Sequence, residues 1–149
     1  MKVSIYSREE FEKIIDTDFL KNTAVISFYD PKGIRSDNLT PVNYKNKAAM
    51  VYQVAVYDID IECLEDYGLT FNTYLPEAKE IAEFIYKAKV DIICQCQYGQ
   101  SRSAGCAAAI PEHFEKNGIS IFADYRYYPN QVIFNKIFDA LQEYNKNVV

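Results

Sequence analysis

The stretch Cys96-Gln97-Tyr98-Gly99-Gln100-Ser101-Arg102-Ser103 sets a cysteine five residues ahead of an arginine, with a hydroxyl side chain directly after it. A loop of this length can close around an oxyanion. Successive backbone N–H groups can turn inward, and Gly99 allows the positive φ or close approach that such a nest needs. Arg102 can grip two oxygens of the same anion bidentately. The N–H groups, with a helix N-terminus behind them, would also lower the thiol pKa of Cys96 and let it attack as thiolate. The spacing alone is a weak signal in a chain with four cysteines; Gly99, the Ser101-Arg102-Ser103 ending and the flanks give it force.

Working outward, Val90-Asp91-Ile92-Ile93-Cys94 is short, apolar and β-branched, the pattern of a buried parallel strand. Ser103-Ala104-Gly105-Cys106-Ala107-Ala108-Ala109-Ile110 is small and mostly helix-favouring. The order strand, anion loop, helix follows. Upstream, Val3 to Tyr6 reads as a strand, and Ser7-Arg8-Glu9-Glu10 as a capping box opening a helix that ends near Asp16. Thr23 to Tyr29 is a second strand, closed by the turn signal Asp30-Pro31-Lys32-Gly33. A polar stretch from Pro31 to Lys47 reads as a mobile loop.

Met50 to Tyr57 is the third strand and runs into Asp58-Ile59-Asp60. Pro76 to Lys89 carries Ala78, Ile81, Ala82 and Ile85 at helical spacing. The helix after Arg102 contains Pro111, which should kink or divide it, and Gly118 is its expected terminator. A last helix spans about 130–144, with Val132, Ile133, Ile137, Phe138 and Leu141 on its buried side. Alternating strands and helices imply an α/β fold. We expect a central, mostly parallel sheet of about four to five strands with helices on both faces, the ligand lying at the strands' carboxyl ends, in a single domain over 1–149.

Composition narrows the partners. A net charge of −5 disfavours nucleic acid and anionic membrane as partners, although it leaves room for a local positive pocket. No apolar run is long enough for a membrane span, and Met1-Lys2-Val3-Ser4-Ile5-Tyr6 lacks a signal-peptide core, so a cytoplasmic location is expected. Cys63, Cys94, Cys96 and Cys106 should then be reduced. With no Cys-x-x-Cys pair and His113 as the single histidine, no metal is expected. Cys94 reads first as a small buried hydrophobe, and second as a thiol able to trap oxidised Cys96. Cys106 reads as helix core filler.

The segment Cys96, Gly99, Ser101, Arg102 and Ser103 resembles the signature of the cysteine-dependent protein tyrosine phosphatases, in the compact dual-specificity-like branch that includes small bacterial members. Ile26-Ser27-Phe28-Tyr29-Asp30-Pro31, Tyr57-Asp58-Ile59-Asp60 and Tyr128-Pro129-Asn130 look like further landmarks of those members, in the right order. One departure is plain. The family usually carries histidine before its nucleophile, where it helps to hold the loop and tune the thiol; this chain has Gln95, which can hydrogen-bond but carries no charge.

The resemblance implies a phosphatase working through a phosphocysteine. Cys96 would be the nucleophile, and Arg102 with the backbone of Gln97, Tyr98, Gly99, Gln100 and Ser101 would bind the phosphoryl group. Ser103 would hydrogen-bond the departing thiolate, and no cofactor would be required. The family's general acid is an aspartate roughly thirty to forty residues before the cysteine. Asp58 is preferred, because Val54-Ala55-Val56-Tyr57-Asp58 resembles the strand end preceding that acid; Asp60 is close behind, and Asp66 a remote third.

Phosphotyrosine in proteins is the first-choice substrate, ahead of phosphoserine, phosphothreonine and small phosphomonoesters, with inorganic phosphate as product. A phosphoinositide would gain from lysines in the loop, where Gln97 and Gln100 stand. Two other classes remain open: a catalytically weak phosphopeptide-binding module, and a sulfurtransferase or arsenate reductase, which also use a cysteine in an anion loop.

Overall fold

The computed structural model describes residues 1–31, 41–44 and 46–148. Much of the expected Pro31 to Lys47 loop, and the turn residues Lys32 and Gly33, therefore lie outside the described residues. Among those described, β1 (Val3–Ser7), β2 (Thr23–Tyr29), β3 (Met50–Ala55) and β4 (Asp91–Cys96) form one sheet in the order β1-β4-β2-β3. Every pairing is parallel, with Cys94 opposite Ile5 on one side and Ile26 on the other. β4 thus lies inside the sheet, and its carboxyl end is flanked by the ends of β1 and β2.

Helices cover both faces, as the alternation of elements predicts. Ala24, Ile26 and Phe28 of β2 and Ile92, Cys94 and Cys96 of β4 face a core built with α2 (Ala78–Ala88), α3 (Arg102–Glu115) and α5 (Gln131–Val148). Val25 and Ile93 point the other way, to Phe11 of α1 (Arg8–Ile14) and to Leu20, Val42 and Tyr44. Period-two alternation along β2 and β4 sends neighbouring residues into different cores. Cys96 and Gln95 consequently face opposite sides of the sheet.

Ser7 caps α1 through the predicted box, its hydroxyl accepting from Glu10 N and Glu10 accepting from Ser7 N. Several boundaries differ from the sequence reading. α1 stops at Ile14, where Thr17 closes a turn onto the Ile14 carbonyl. β3 stops at Ala55 rather than Tyr57: Val56 N still donates to Tyr29 O, but the next donor position on the β2 side is Pro31, which has no N–H, and the Val56 carbonyl accepts from Arg102. α5 starts behind Asn130, whose side chain caps Ile133 N at 2.9 Å, and runs on to Val148. Three short 3-10 helices, Asp18–Asn22, Ile61–Cys63 and Glu65–Tyr67, and the single-turn α4 (Ile119–Phe122) were not legible in the periodicity.

Two expectations for α3 are corrected. Pro111 does not divide the helix: α3 is continuous from Arg102 to Glu115, with Arg102 to Ile110 all buried. One missing N–H bond near the end of a helix so enclosed is outweighed by packing. Gly118 does not terminate it either. Lys116 takes the left-handed conformation at φ 57°, and Lys116 N and Asn117 N bond back to Glu112 and Pro111 carbonyls. Gly118 serves instead where the chain passes Ala108, whose carbonyl oxygen would lie 2.8 Å from an added Cβ.

Gly105 sets the distance between α3 and the start of α5. A Cβ there would lie 2.5 Å from the Asn130 carbonyl oxygen, a backbone atom that cannot swing away. Gly105→Ala should therefore destabilise the fold by about 1–3 kcal/mol, the usual cost of overpacking, read as a lower urea midpoint. An unchanged midpoint would mean that α5 is not held against α3 at this point.

Candidate active site

The loop from Gln97 to Ser101 joins the buried end of β4 to the first residue of α3. Its carbonyls are turned outward onto protein donors. Arg8 N donates to Gln97 O, Tyr128 N to Gln100 O, and both Asn130 N and Gly105 N to Ser101 O. In a trans peptide the N–H lies opposite the C=O, so the N–H groups of Tyr98, Ser101 and Arg102 point to the other side, into the loop. That is the arrangement of an anion nest. Gly99 has φ +67°, and a Cβ on it would sit 2.6 Å from Ser7 N. Glycine is required there twice over, for the backbone conformation and for close passage over β1.

Arg102 is 4% exposed. Its Nη1 donates to Asp30 Oδ1 at 2.8 Å and to the Val56 carbonyl at 3.0 Å, so the ends of β2 and β3 hold one corner of the guanidinium. Among the described residues its Nε is a buried side-chain nitrogen with no hydrogen-bond partner. Leaving a charged donor unsatisfied is costly unless an anion completes it. Cys96 Sγ lies 3.1 Å from Ser103 Oγ, both groups being buried. That contact places a side-chain hydroxyl within hydrogen-bond reach of the sulfur.

Of the three aspartates considered, Asp58 touches the loop. Its Oδ1 accepts from Ser101 Oγ at 2.7 Å and from Asn130 Nδ2 at 3.0 Å. Both lone pairs of Oδ1 are thereby engaged, so a proton carried by Asp58 sits on Oδ2. Burial, and next the Asp58 charge, push the Tyr74 phenol well above its ordinary pKa, and Tyr74 donates to the Tyr57 carbonyl beside Asp58. Asp60 is exposed at the head of the Ile61–Cys63 turn, along a groove with Glu62, Tyr128 and Pro129. Asp66 lies exposed in the Glu65–Tyr67 turn.

Asp30 and Asn130 are site residues that sequence reasoning used only as landmarks. Their roles depend on partners 72 positions away in each case, and no local pattern carries that information. Tyr98 is largely exposed at the rim, while Gln97 lines a small cleft behind Arg102 with Arg8 and Asp30. Cys94 is buried beside Cys106, whose thiol hydrogen bond, with burial, pushes the Cys94 pKa well up. The full burial of Cys94 in the apolar core is what the small-hydrophobe reading expects. His113 is engaged between Tyr86 and Gln142, toward the far end of α3 from the loop.

No protein-family model matches the chain, and no curated protein matches it in sequence. Solved structures do match in fold. Human DUSP28 superimposes with a TM-score of 0.56 at 14% identity, over 97% of this chain and 94% of that one. The Cydia pomonella PTP-2 phosphatase gives 0.55 at 12% identity, over 93% and 85%. PTPMT1, solved in complex with PI(5)P, gives 0.53 at 14% identity, over 99% and 95%. The likeness is one of fold: the chain has the α/β architecture of the cysteine-dependent tyrosine and dual-specificity phosphatases that the sequence resemblance implied. Among the described residues, no helix is long and apolar enough to cross a membrane.

Asp30→Ala would leave Arg102 buried without its counter-charge. The expected loss is about 3 kcal/mol in urea unfolding, shrinking when Arg102 is also replaced by Met, because the stranded charge is then gone. Equal losses in the two backgrounds would show that Asp30 acts independently of Arg102.

Proposed function

We propose that the chain, as a single domain over 1–149, is a cysteine-dependent phosphatase that hydrolyses phosphomonoesters, with phosphotyrosine in cytoplasmic proteins as its preferred substrate. The observation that carries this reading is the buried Arg102, anchored through Nη1 while its Nε has no partner among the described residues, at the end of a loop whose carbonyls are taken by protein donors. A dianionic phosphoryl group satisfies both features at once.

The Cys96 thiolate attacks phosphorus in line; an S–P bond forms as the P–O bond to the leaving group breaks. Arg102 Nε and the loop N–H groups take the charge of the equatorial oxygens. Asp58 delivers the proton on Oδ2 to the leaving oxygen, which departs as an alcohol or phenol. Water then attacks the phosphocysteine, and Asp58 accepts a proton from it as the S–P bond breaks. Inorganic phosphate is released and the returning thiolate is received by the Ser103 hydroxyl at 3.1 Å. No step calls for a metal.

Asp58 is favoured over Asp60 by its hydrogen bonds to Ser101 and Asn130. Phosphoserine, phosphothreonine and small phosphomonoesters rank behind phosphotyrosine. The uncharged Gln97 and Gln100 keep a phosphoinositide lower still, although PTPMT1 was solved with one.

Hydrolysis of an aryl phosphate in the presence of a chelator tests the mechanism. Wild type should turn over, Cys96→Ser should be inactive, and Arg102→Ala and Asp58→Ala should each lower kcat by about a hundredfold or more. Turnover that survived Cys96→Ser would sink the mechanism. Loss in Asp60→Ala with Asp58→Ala intact would move the acid to Asp60. An inactive wild type that retained phosphotyrosine peptides would make the protein a binding module.

A further inference from the structure

Behind the nucleophile, on the sheet face opposite Cys96, lies a closed polar group that the mechanism above does not use. Gln95 is 2% exposed, Ser27 1% and Tyr44 5%, in an otherwise apolar environment of Phe11, Leu20, Val25, Val42 and Ile93. Ser27 Oγ donates to Gln95 Oε1 at 2.5 Å and Tyr44 OH donates to the same oxygen at 2.6 Å. Gln95 Nε2 donates to the Cys96 carbonyl at 3.0 Å. The orientation of the amide follows from its neighbours. A backbone carbonyl can only accept, so the NH2 must face Cys96, and Oε1 is left to the two hydroxyls, which must both donate.

We infer that Tyr44 is a positioning residue for Cys96, acting through Gln95; the inference rests on the phosphatase reading for its meaning. The Cys96 carbonyl belongs to the peptide unit that leaves β4 and enters the anion loop. Holding that carbonyl fixes the plane of the first loop peptide and, with it, the direction from which Sγ meets a bound phosphoryl group. Gln95 can hold it only while its own amide is held. With Oε1 carrying two donors, the side chain has one satisfied orientation; with one donor removed, its torsions are freer and a buried lone pair is open.

Tyr44 is suited to the task by its surroundings. Its ring packs edge-on against Phe11 at 4.9 Å and 71°. Its carbonyl accepts from Lys47 N at 2.8 Å, and the neighbouring Val42 carbonyl accepts from Gln53 Nε2 at 2.8 Å. Burial keeps its phenol pKa well above the ordinary value, outweighing the Arg8 charge that acts the other way. The hydroxyl therefore remains a donor at any working pH. A residue outside the strands and helices, 52 positions before the nucleophile, thus ends on the nucleophile's own carbonyl.

The test is Tyr44→Phe, which deletes one hydroxyl and keeps the ring against Phe11, measured with an aryl phosphate in the wild-type and Gln95→Met backgrounds. The loss of one hydrogen bond predicts a kcat about three- to tenfold lower in the wild-type background, with KM and inhibition by inorganic phosphate within about twofold. In the Gln95→Met background the same change should cost nothing further. A folded Tyr44→Phe protein with unchanged kcat, or an equal loss in both backgrounds, overturns the inference. If Tyr44→Phe does not fold, Ser27→Ala removes the other donor and is read the same way. If wild type has no turnover, the function reading fails separately. The positioning is then read from the rate of Cys96 alkylation by iodoacetamide, followed on the Cys96 peptide by mass spectrometry. That rate should change severalfold on Tyr44→Phe only when Gln95 is present, and an unchanged rate overturns the inference.

Discussion

The buried guanidinium of Arg102 is the constraint on which the rest of the site depends. A charge removed from water must be met by counter-charge or by hydrogen bonds, and here Nη1 is met by the Asp30 carboxylate and the Val56 carbonyl. Those two groups end β2 and β3, and Arg102 opens α3, so one planar cation draws together three elements at the carboxyl edge of the sheet. The Val56 carbonyl, which has only Pro31 opposite it on the β2 side, is free to serve the arginine. Among the described residues Arg102 Nε receives no partner, a demand that an oxyanion would meet.

A second set of bonds holds the loop from outside. Asn130 accepts nothing from the loop's interior; it donates to Asp58 and to the Ile59 carbonyl through its side chain, to Ser101 O through its backbone, and caps α5 with Oδ1. One residue thereby ties the acid candidate, the loop and the last helix. Gly105 permits this because any side chain there would collide with the Asn130 carbonyl. On the β1 side, Ser7 both caps α1 and lies under Gly99, which forces the loop to cross the strand end at backbone contact distance. The loop after Cys96 is therefore held by contacts from the ends of β1, β2 and β3 and from the start of α5.

Much of this could be read along the chain, and what could not has a common cause. β1, β2, β4 and the core faces of α2 and α5 follow from periodicity and apolar runs, since both are local consequences of backbone geometry. The Ser7 capping box and the left-handed turn at Gly99 are local too, whereas the close passage of Gly99 over Ser7 is not. Pro111 and Gly118 misled because their usual meanings, helix break and helix stop, are propensities. In α3 the burial of Arg102 to Ile110 outweighs the first, and Lys116 takes the left-handed cap in place of the second. The parts of the site that went unrecognised, Asp30, Asn130 and Tyr44, are ordinary loop residues in sequence.

The sequence by itself determined the chemistry available: a thiol, a guanidinium and a hydroxyl at a spacing that suits an oxyanion, between a buried strand and a small-residue helix, with two aspartates at a suitable distance upstream. It also exposed Gln95 as the departure from the family it resembles. Only the tertiary structure decided how those groups are held. Asp58 rather than Asp60 meets the loop, Arg102 is anchored through Nη1 with Nε left over, and Gln95 is satisfied on three sides by Ser27, Tyr44 and Cys96. The physical reason is that propensity and spacing act over a few residues. The satisfaction of a buried polar group is settled by whichever donors and acceptors the fold brings within about 3 Å, however far away they lie in the chain.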